Sequence, residues 1–180
     1  MSDERIIVVL LGPPGAGKGT QGALLAERSG IRHVSTGEIF RAAVGAGTPA
    51  GLRAEAYLES GELVPDGVVM QLVEEYLGNR CDLDLCFDGF PRTRRQAEAL
   101  DAVLEQLGTK LAGVFLIEVS DEEALRRLTS RGRSDDGLET ARYRLEVYHE
   151  LTEPLVDYYR AQGVLREVGG EAGIDAVADV

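Results

Sequence analysis

Cysteine and histidine are scarce in this chain of 180 residues, which holds only Cys81, Cys86, His33 and His149. Neither pair can supply a four-ligand zinc set, and the four residues are scattered, so no zinc site is expected and a disulfide-built scaffold is excluded. Positive charge is also short. Lys and Arg number 19 against 31 Asp and Glu, for a net charge of −12. That balance argues against nonspecific binding of a nucleic-acid backbone or an anionic membrane. No apolar run approaches the roughly 18 residues of a membrane span. The opening Met-Ser-Asp-Glu-Arg passes into a short apolar run with no cleavage site, which reads as a first strand rather than a leader, and the cytosol is the expected compartment. Repeats and low-complexity tracts are missing too. The 44% apolar content is too high for global disorder.

What is present alternates. Residues 6–11 are continuously apolar, as in a strand buried on both faces of a parallel sheet. Glycine-rich residues 12–19 break the run, and helical spacing follows over 18–29 with Gly30 as the stop. Further strands are expected at 32–35, 83–87, 111–118 and 164–168. Helices are expected at 36–44, 48–61, 66–77, 93–107 and from Ser120, whose cap has Glu123 at the capping-box spacing. A polar loop covers 132–137. One long helix is then expected over 138–162, bent or interrupted at Pro154, with a weak helix closing the chain. The pattern is that of an open α/β sheet with helices on both faces.

Gly12-Pro-Pro-Gly15-Ala-Gly17-Lys18-Gly19-Thr20 lies between the first strand and the first helix. Such a loop turns backbone N–H groups inward around phosphate oxygens, the helix N-terminus adds its dipole, and Lys18 adds a point charge. Gly12, Gly17 and Lys18 fit the Walker A spacing. The next position is Gly19 rather than Ser or Thr, with the hydroxyl moved to Thr20. A nucleoside triphosphate is the natural ligand.

Gly17-Lys18-Gly19-Thr20-Gln21 resembles the loop of adenylate kinases and their nucleoside-monophosphate kinase relatives. The resemblance continues in order along essentially the whole chain: Ser35-Thr36-Gly37 with Arg41, Gly61-Glu62-Leu63-Val64-Pro65, Asp88-Gly89-Phe90-Pro91-Arg92-Thr93 with Gln96, Arg131-Gly132-Arg133 with Asp135-Asp136, Arg142 to Leu145, Tyr148-His149, and Pro154-Leu155 through Tyr158-Tyr159. It implies a P-loop five-stranded parallel sheet with a monophosphate-binding insert at 35–64 and a short lid at 130–136, the core being 1–34, 65–129 and 137–180. It also implies reversible Mg2+-dependent transfer from ATP to AMP, giving two ADP, by a monomer.

The implied roles fall on particular residues. Gly15, Ala16, Gly17, Lys18, Gly19 and Thr20 would hold the ATP phosphates, with Arg131 serving ATP from the lid and Gly169 near its adenine. Thr36, Arg41, Gly89, Phe90, Pro91, Arg92 and Gln96 would form the AMP site, with Glu62, Leu63 and Val64 meeting the base largely through backbone. Lys18, Arg92, Arg131, Arg133 and Arg144 would be the catalytic cations, with Arg133 and Arg144 clamping the phosphates in transfer. Asp88 would hold magnesium through water. Arg126 and Arg142 read as surface or salt-bridged residues, and both histidines as structural.

The lid is too short for a zinc element, and Gly132 and Gly137 bracket a loop that could hinge. Within the family, UMP/CMP kinases tend to carry Ala and Asn where this chain has Thr36 and Gln96, so both residues point to AMP, with a UMP/CMP kinase as the alternative. Outside it, a GTPase would need a guanine-reading Asn-Lys-x-Asp motif that is missing. A kinase for a small non-nucleotide acceptor would need no base-reading pair. A non-catalytic nucleotide-binding regulator is the remaining alternative.

Overall fold

Every residue of the first strand, β1 (Ile7–Leu11), is buried, and the two faces of the strand feed different parts of the core. Ile7, Val9 and Leu11 join the larger apolar cluster. Val8 and Leu10 join a second cluster with Ile31 and Cys86 on the other face. The absence of polar alternation in this run therefore has the expected cause, a strand covered on both sides. The computed structural model describes residues 5–78, 84–132, 137–172 and 174.

The other strands are β2 (Arg32–Ser35), β3 (Leu85–Asp88), β4 (Gly113–Glu118) and β5 (Leu165–Gly169). They form one sheet in the order β2-β3-β1-β4-β5, and every pairing is parallel. The order reverses at β1, whose neighbours are β3 and β4, so a crevice opens at the carboxyl ends of these strands. Leu10 is in register with Asp88, which sets the loop after β1 beside the loop after β3.

Eight helices are described: α1 (Lys18–Ser29), α2 (Thr36–Gly45), α3 (Pro49–Ser60), α4 (Asp66–Gly78), α5 (Arg94–Gln106), α6 (Asp121–Arg131), α7 (Leu138–Val147) and α8 (Leu155–Ala161). Local chemistry starts them. Ser35, Thr48, Thr93 and Ser120 each accept the backbone N–H three residues on. α2 and α3 form a tight pair because Gly51 lies against the Ala43 carbonyl, where a Cβ would overlap it. Among the described residues no helix is long and apolar enough to cross a membrane.

Two local readings are corrected. The expected capping box at Ser120 is half formed. Glu123 turns its carboxylate to Arg126 and Arg127, and Glu171 takes the Ser120 N–H at 2.9 Å instead. The single helix expected over 138–162 is three pieces. α7 stops at Val147, a π-helical turn spans Tyr148–Thr152, and Pro154 precedes α8. Pro154 has no N–H to continue the ladder, and the Glu153 N–H bonds five residues back, to Tyr148 O. Cys86 is a buried free thiol. Cys81, Leu83 and the closing helix beyond 174 fall outside the described residues.

The π turn brings His149 between two carboxylates, with Nδ1 2.9 Å from Glu153 and Nε2 3.0 Å from Asp121 at the start of α6. Glu118, Asp157, Glu167 and Arg160 line the same shallow pocket with Tyr148. The hydrogen bond to Glu153 raises the His149 pKa above its ordinary value, burial opposes it, and the hydrogen bond to Asp121 adds to the rise. A raised native pKa stabilises fully below the unfolded value of about 6.5 and is lost as pH rises through the native value. His149→Gln should therefore lower Tm most near pH 6, and its deficit should shrink above pH ~6.5. Thermal unfolding across that range checks this, and a deficit independent of pH would contradict it.

Candidate active site

The loop between β1 and α1 needs glycine for two reasons. Gly12 and Gly15 have φ of +140° and +89°, and a Cβ at either would lie 2.5 Å from a carbonyl oxygen, of Ile117 and Ala124 respectively. The end of β4 and the first turn of α6 thus press directly on the loop backbone. α1 begins at Lys18 with Gly17 as its N-cap and no side-chain cap, so the first-turn N–H groups face the crevice ready for an anion.

Lys18 Nζ donates to Gly12 O and Pro13 O, both at 2.8 Å. Desolvation in the loop pushes its pKa down to about 8, with Asp88 opposing and Arg92 and Arg131 adding to the effect. Asp88, at the end of β3, is buried. Burial alone would raise its pKa, but His33, Lys18 and Arg92 outweigh it and hold the carboxyl below its ordinary value. His33 Nε2 stands 3.6 Å from Asp88 Oδ2, a close approach rather than a hydrogen bond. His33 itself is not among the residues that line the cavity, and its Nε2 is buried. The ring has room only because residue 22 on α1 is glycine, since a Cβ there would overlap it.

Across the crevice, Arg92 is anchored three ways. Its backbone N–H donates to Gln96 Oε1 at 2.8 Å, its carbonyl accepts from Thr152 Oγ1 at 2.8 Å, and its Nε donates to Gly89 O at 2.8 Å. Thr36 Oγ1 donates to the same Gly89 carbonyl at 2.9 Å. The π turn before Pro154 is what delivers Thr152 to this position. Beneath, Phe90 is fully buried edge-on against Phe87, and the Phe90–Pro91 peptide is cis.

One cavity of about 810 Å³ joins these parts, and Lys18, Arg41, Arg92, Arg127, Arg131 and Arg144 all line it. Arg144, on α7, also donates to Leu58 O at 3.0 Å at the end of α3. Gly15 to Thr20, Glu62, Asp88 and Gly89 line the cavity as well. Thr36 and Gln96 are buried just behind its wall. Val64 and Phe90 belong to the core, so any contact that these two residues make with the cavity runs through backbone. Gly169 ends β5, and the residue after it, Gly170, is the one that lines the cavity. Arg133 lies outside the described residues. Arg126 pairs with Glu123, and it also lines the cavity.

Arg127 was missed by sequence reasoning. It donates to Glu123, to Gly170 O at 3.0 Å and to Ala16 O at 3.4 Å, tying α6, the loop after β5 and the phosphate loop together. Its spacing of four from Arg131, one helical turn along the same face, was the available signal.

A glycine cradle at the switch point of a parallel sheet, facing a group of anchored cations, defines a P-loop nucleotide-binding phosphotransferase. Comparison with known proteins agrees. A family model described as "Adenylate kinase" matches residues 10–164. A Thermus thermophilus protein named adenylate kinase is 53% identical, over 94% of this chain and 91% of the relative. A Synechococcus protein of the same name is 46% identical, over 96% of this chain and 94% of the relative. The chain belongs to the adenylate kinase family.

Two glycine substitutions should move stability in opposite directions. Gly22→Ala must displace the His33 ring and should cost about 1–3 kcal/mol by overpacking. Gly67→Ala, in α4 with open space around it, should gain up to about 1 kcal/mol from helix propensity. Urea unfolding of both variants decides it, and a stabilised Gly22→Ala would refute the close contact.

Proposed function

We propose that this cavity transfers the γ-phosphoryl group of ATP to AMP, reversibly, giving two ADP and balancing the adenine nucleotides. The observation that carries the reading is the set of anchored cations between the phosphate loop and Arg92. The loop and Arg131 take ATP. Arg41, Arg92 and the 89–96 segment take AMP. Arg144, with Arg133 from the short lid, steadies the group in transit. In this reading 35–64 is the AMP-binding insert and 130–136 the lid, on a core of 1–34, 65–129 and 137–180, and the chain acts as a cytoplasmic monomer on small nucleotides alone.

An oxygen of the AMP phosphate attacks the γ-phosphorus in line. The bond to the β–γ bridging oxygen breaks, and ADP leaves with that electron pair. A phosphate monoester with its second pKa near 6 is mostly dianionic at neutral pH, so no side chain need take a proton. The work left to the protein is alignment and charge stabilisation. Lys18 can exchange the carbonyls of Gly12 and Pro13 for phosphate oxygens. Arg92 already points from a fixed backbone.

Magnesium fits this site. Asp88 is a buried, ionised hard-oxygen donor whose Oδ2 lies 3.5 Å from where a Cβ of Gly19 would stand, beside the phosphate loop. Asp88 would hold the ion through water, and the ion would neutralise charge on the β- and γ-phosphates.

Thr36 and Gln96 favour AMP over UMP or CMP, since a glutamine amide both donates and accepts along a base edge. Purified protein given Mg·ATP with AMP, UMP, CMP, GMP or dTMP in turn should form product rapidly only with AMP. Preference for a pyrimidine would overturn the reading of those two residues. Arg92→Ala should lower kcat by on the order of 10² or more, as loss of transition-state electrostatics. An unchanged kcat would remove Arg92 from the reaction.

A further inference from the structure

Gln96 is buried, and its amide is already engaged at both ends. Oε1 accepts the Arg92 N–H at 2.8 Å, and Nε2 donates to Asp66 Oδ1 at 2.8 Å. Thr93 Oγ1 donates to the same Asp66 oxygen at 3.1 Å, and as N-cap of α5 it accepts the Gln96 N–H at 3.2 Å. An amide has two N–H donors and two carbonyl lone pairs. These bonds leave Gln96 one of each.

The bonds also fix which end is which. A carboxylate can only accept, and a backbone N–H can only donate. Rotating the Gln96 amide by half a turn would set its oxygen against Asp66 and its NH2 against the Arg92 N–H, so both contacts would fail. The distinction matters because a free glutamine is indifferent among purines. Adenine offers an acceptor at N1 and a donor at its 6-amino group. A 6-oxopurine offers a donor at N1 and an acceptor at O6. A glutamine that can rotate reads either base, whereas one held in a single polarity reads only one.

We propose that Asp66 is a positioning residue that, together with the Arg92 N–H, locks the polarity of Gln96 and so makes the acceptor site selective for a 6-aminopurine monophosphate over a 6-oxopurine one. This rests on AMP being the acceptor. Asp66 touches no nucleotide in this scheme. It stands at the first turn of α4, outside the cavity lining, and acts through Gln96.

The test compares AMP with inosine monophosphate as acceptor. Asp66→Ala removes the acceptor oxygen and should lower the AMP-to-IMP ratio of kcat/KM on the order of tenfold, the scale of one well-made base contact. The loss should appear chiefly in KM for AMP, with kcat at saturating AMP and KM for ATP within about twofold. Asp66→Asn keeps an oxygen that Thr93 can still orient, and should restore most of the ratio. A merely structural role for Asp66 would lower Tm and weaken both acceptors alike. An unchanged ratio in Asp66→Ala overturns the inference. Should that variant not fold, the wild type still decides. The Gln96 side-chain amide protons should exchange slowly by nuclear magnetic resonance, and exchange as fast as in an exposed glutamine overturns the lock. Failure of the underlying reading looks different, because wild-type protein would then transfer no phosphate to AMP. That result removes the acceptor assignment and this inference together, whereas a selective wild type with an equally selective Asp66→Ala removes the inference alone.

Discussion

Lys18 and six arginines line the cavity with only four carboxylates, Glu38, Glu62, Asp88 and Glu123, and the structure is arranged around that excess of positive charge. Lys18, Arg41, Arg92, Arg131 and Arg144 line a single space in a chain whose net charge is −12. Backbone carbonyls share in holding these cations, and Arg127 pairs with Glu123 besides. Gly12 and Pro13 hold Lys18, Gly89 holds Arg92, Leu58 receives Arg144, and Ala16 and Gly170 receive Arg127. A carbonyl fixes the direction of a donor while the formal charge persists. Outside this cavity Arg94 pairs with Glu98, and Arg160 with Asp157 and Glu167. These exposed pairs contribute little to stability.

Carbonyls are available there because of the topology. A parallel strand ends with its chain turning away at the carboxyl edge, and β1 and β3 end side by side with Leu10 level with Asp88. A loop with positive-φ Gly12, Gly15 and Gly17 therefore faces one with Gly89, and carbonyls of both are spent on side chains rather than on a ladder. Among the described residues Asp88 is the one buried carboxylate. Burial would raise its pKa, but His33, then Lys18 and Arg92, hold it below the ordinary value, so two of the cations that await a phosphate also help keep a hard oxygen ligand charged.

Most of the architecture was legible in sequence because it is local. The strand at Ile7–Leu11, the glycine loop, the caps at Ser35, Thr48, Thr93 and Ser120 and the apolar face of α5 all declare themselves within a few residues. The misses are long-range. Arg127 reaches Ala16 and Gly170, Glu171 displaces Glu123 at the Ser120 N–H, and Thr152 reaches Arg92. Of these only Arg127 carried a local signal, its spacing of four from Arg131. Pro154 was visible as an interruption of the long helix, but the π turn before it depends on where Thr152 has to arrive. The approach of His33 to Asp88 was not legible, because the two lie 55 positions apart on strands that only the sheet order brings together.

The contrast between an acidic chain and a basic cavity follows from the range of the forces involved. At physiological ionic strength charges separated by more than about 8 Å in solvent are largely screened from one another. An extended polyanion lying on the surface would meet the acidic exterior at many points and gain little from a recessed group of cations. A compact polyphosphate small enough to enter 810 Å³ leaves that exterior behind and meets the cations in a less polar space, where each interaction is stronger. Net charge and cavity charge thus work together, since the first discourages long anions and the second gathers short ones.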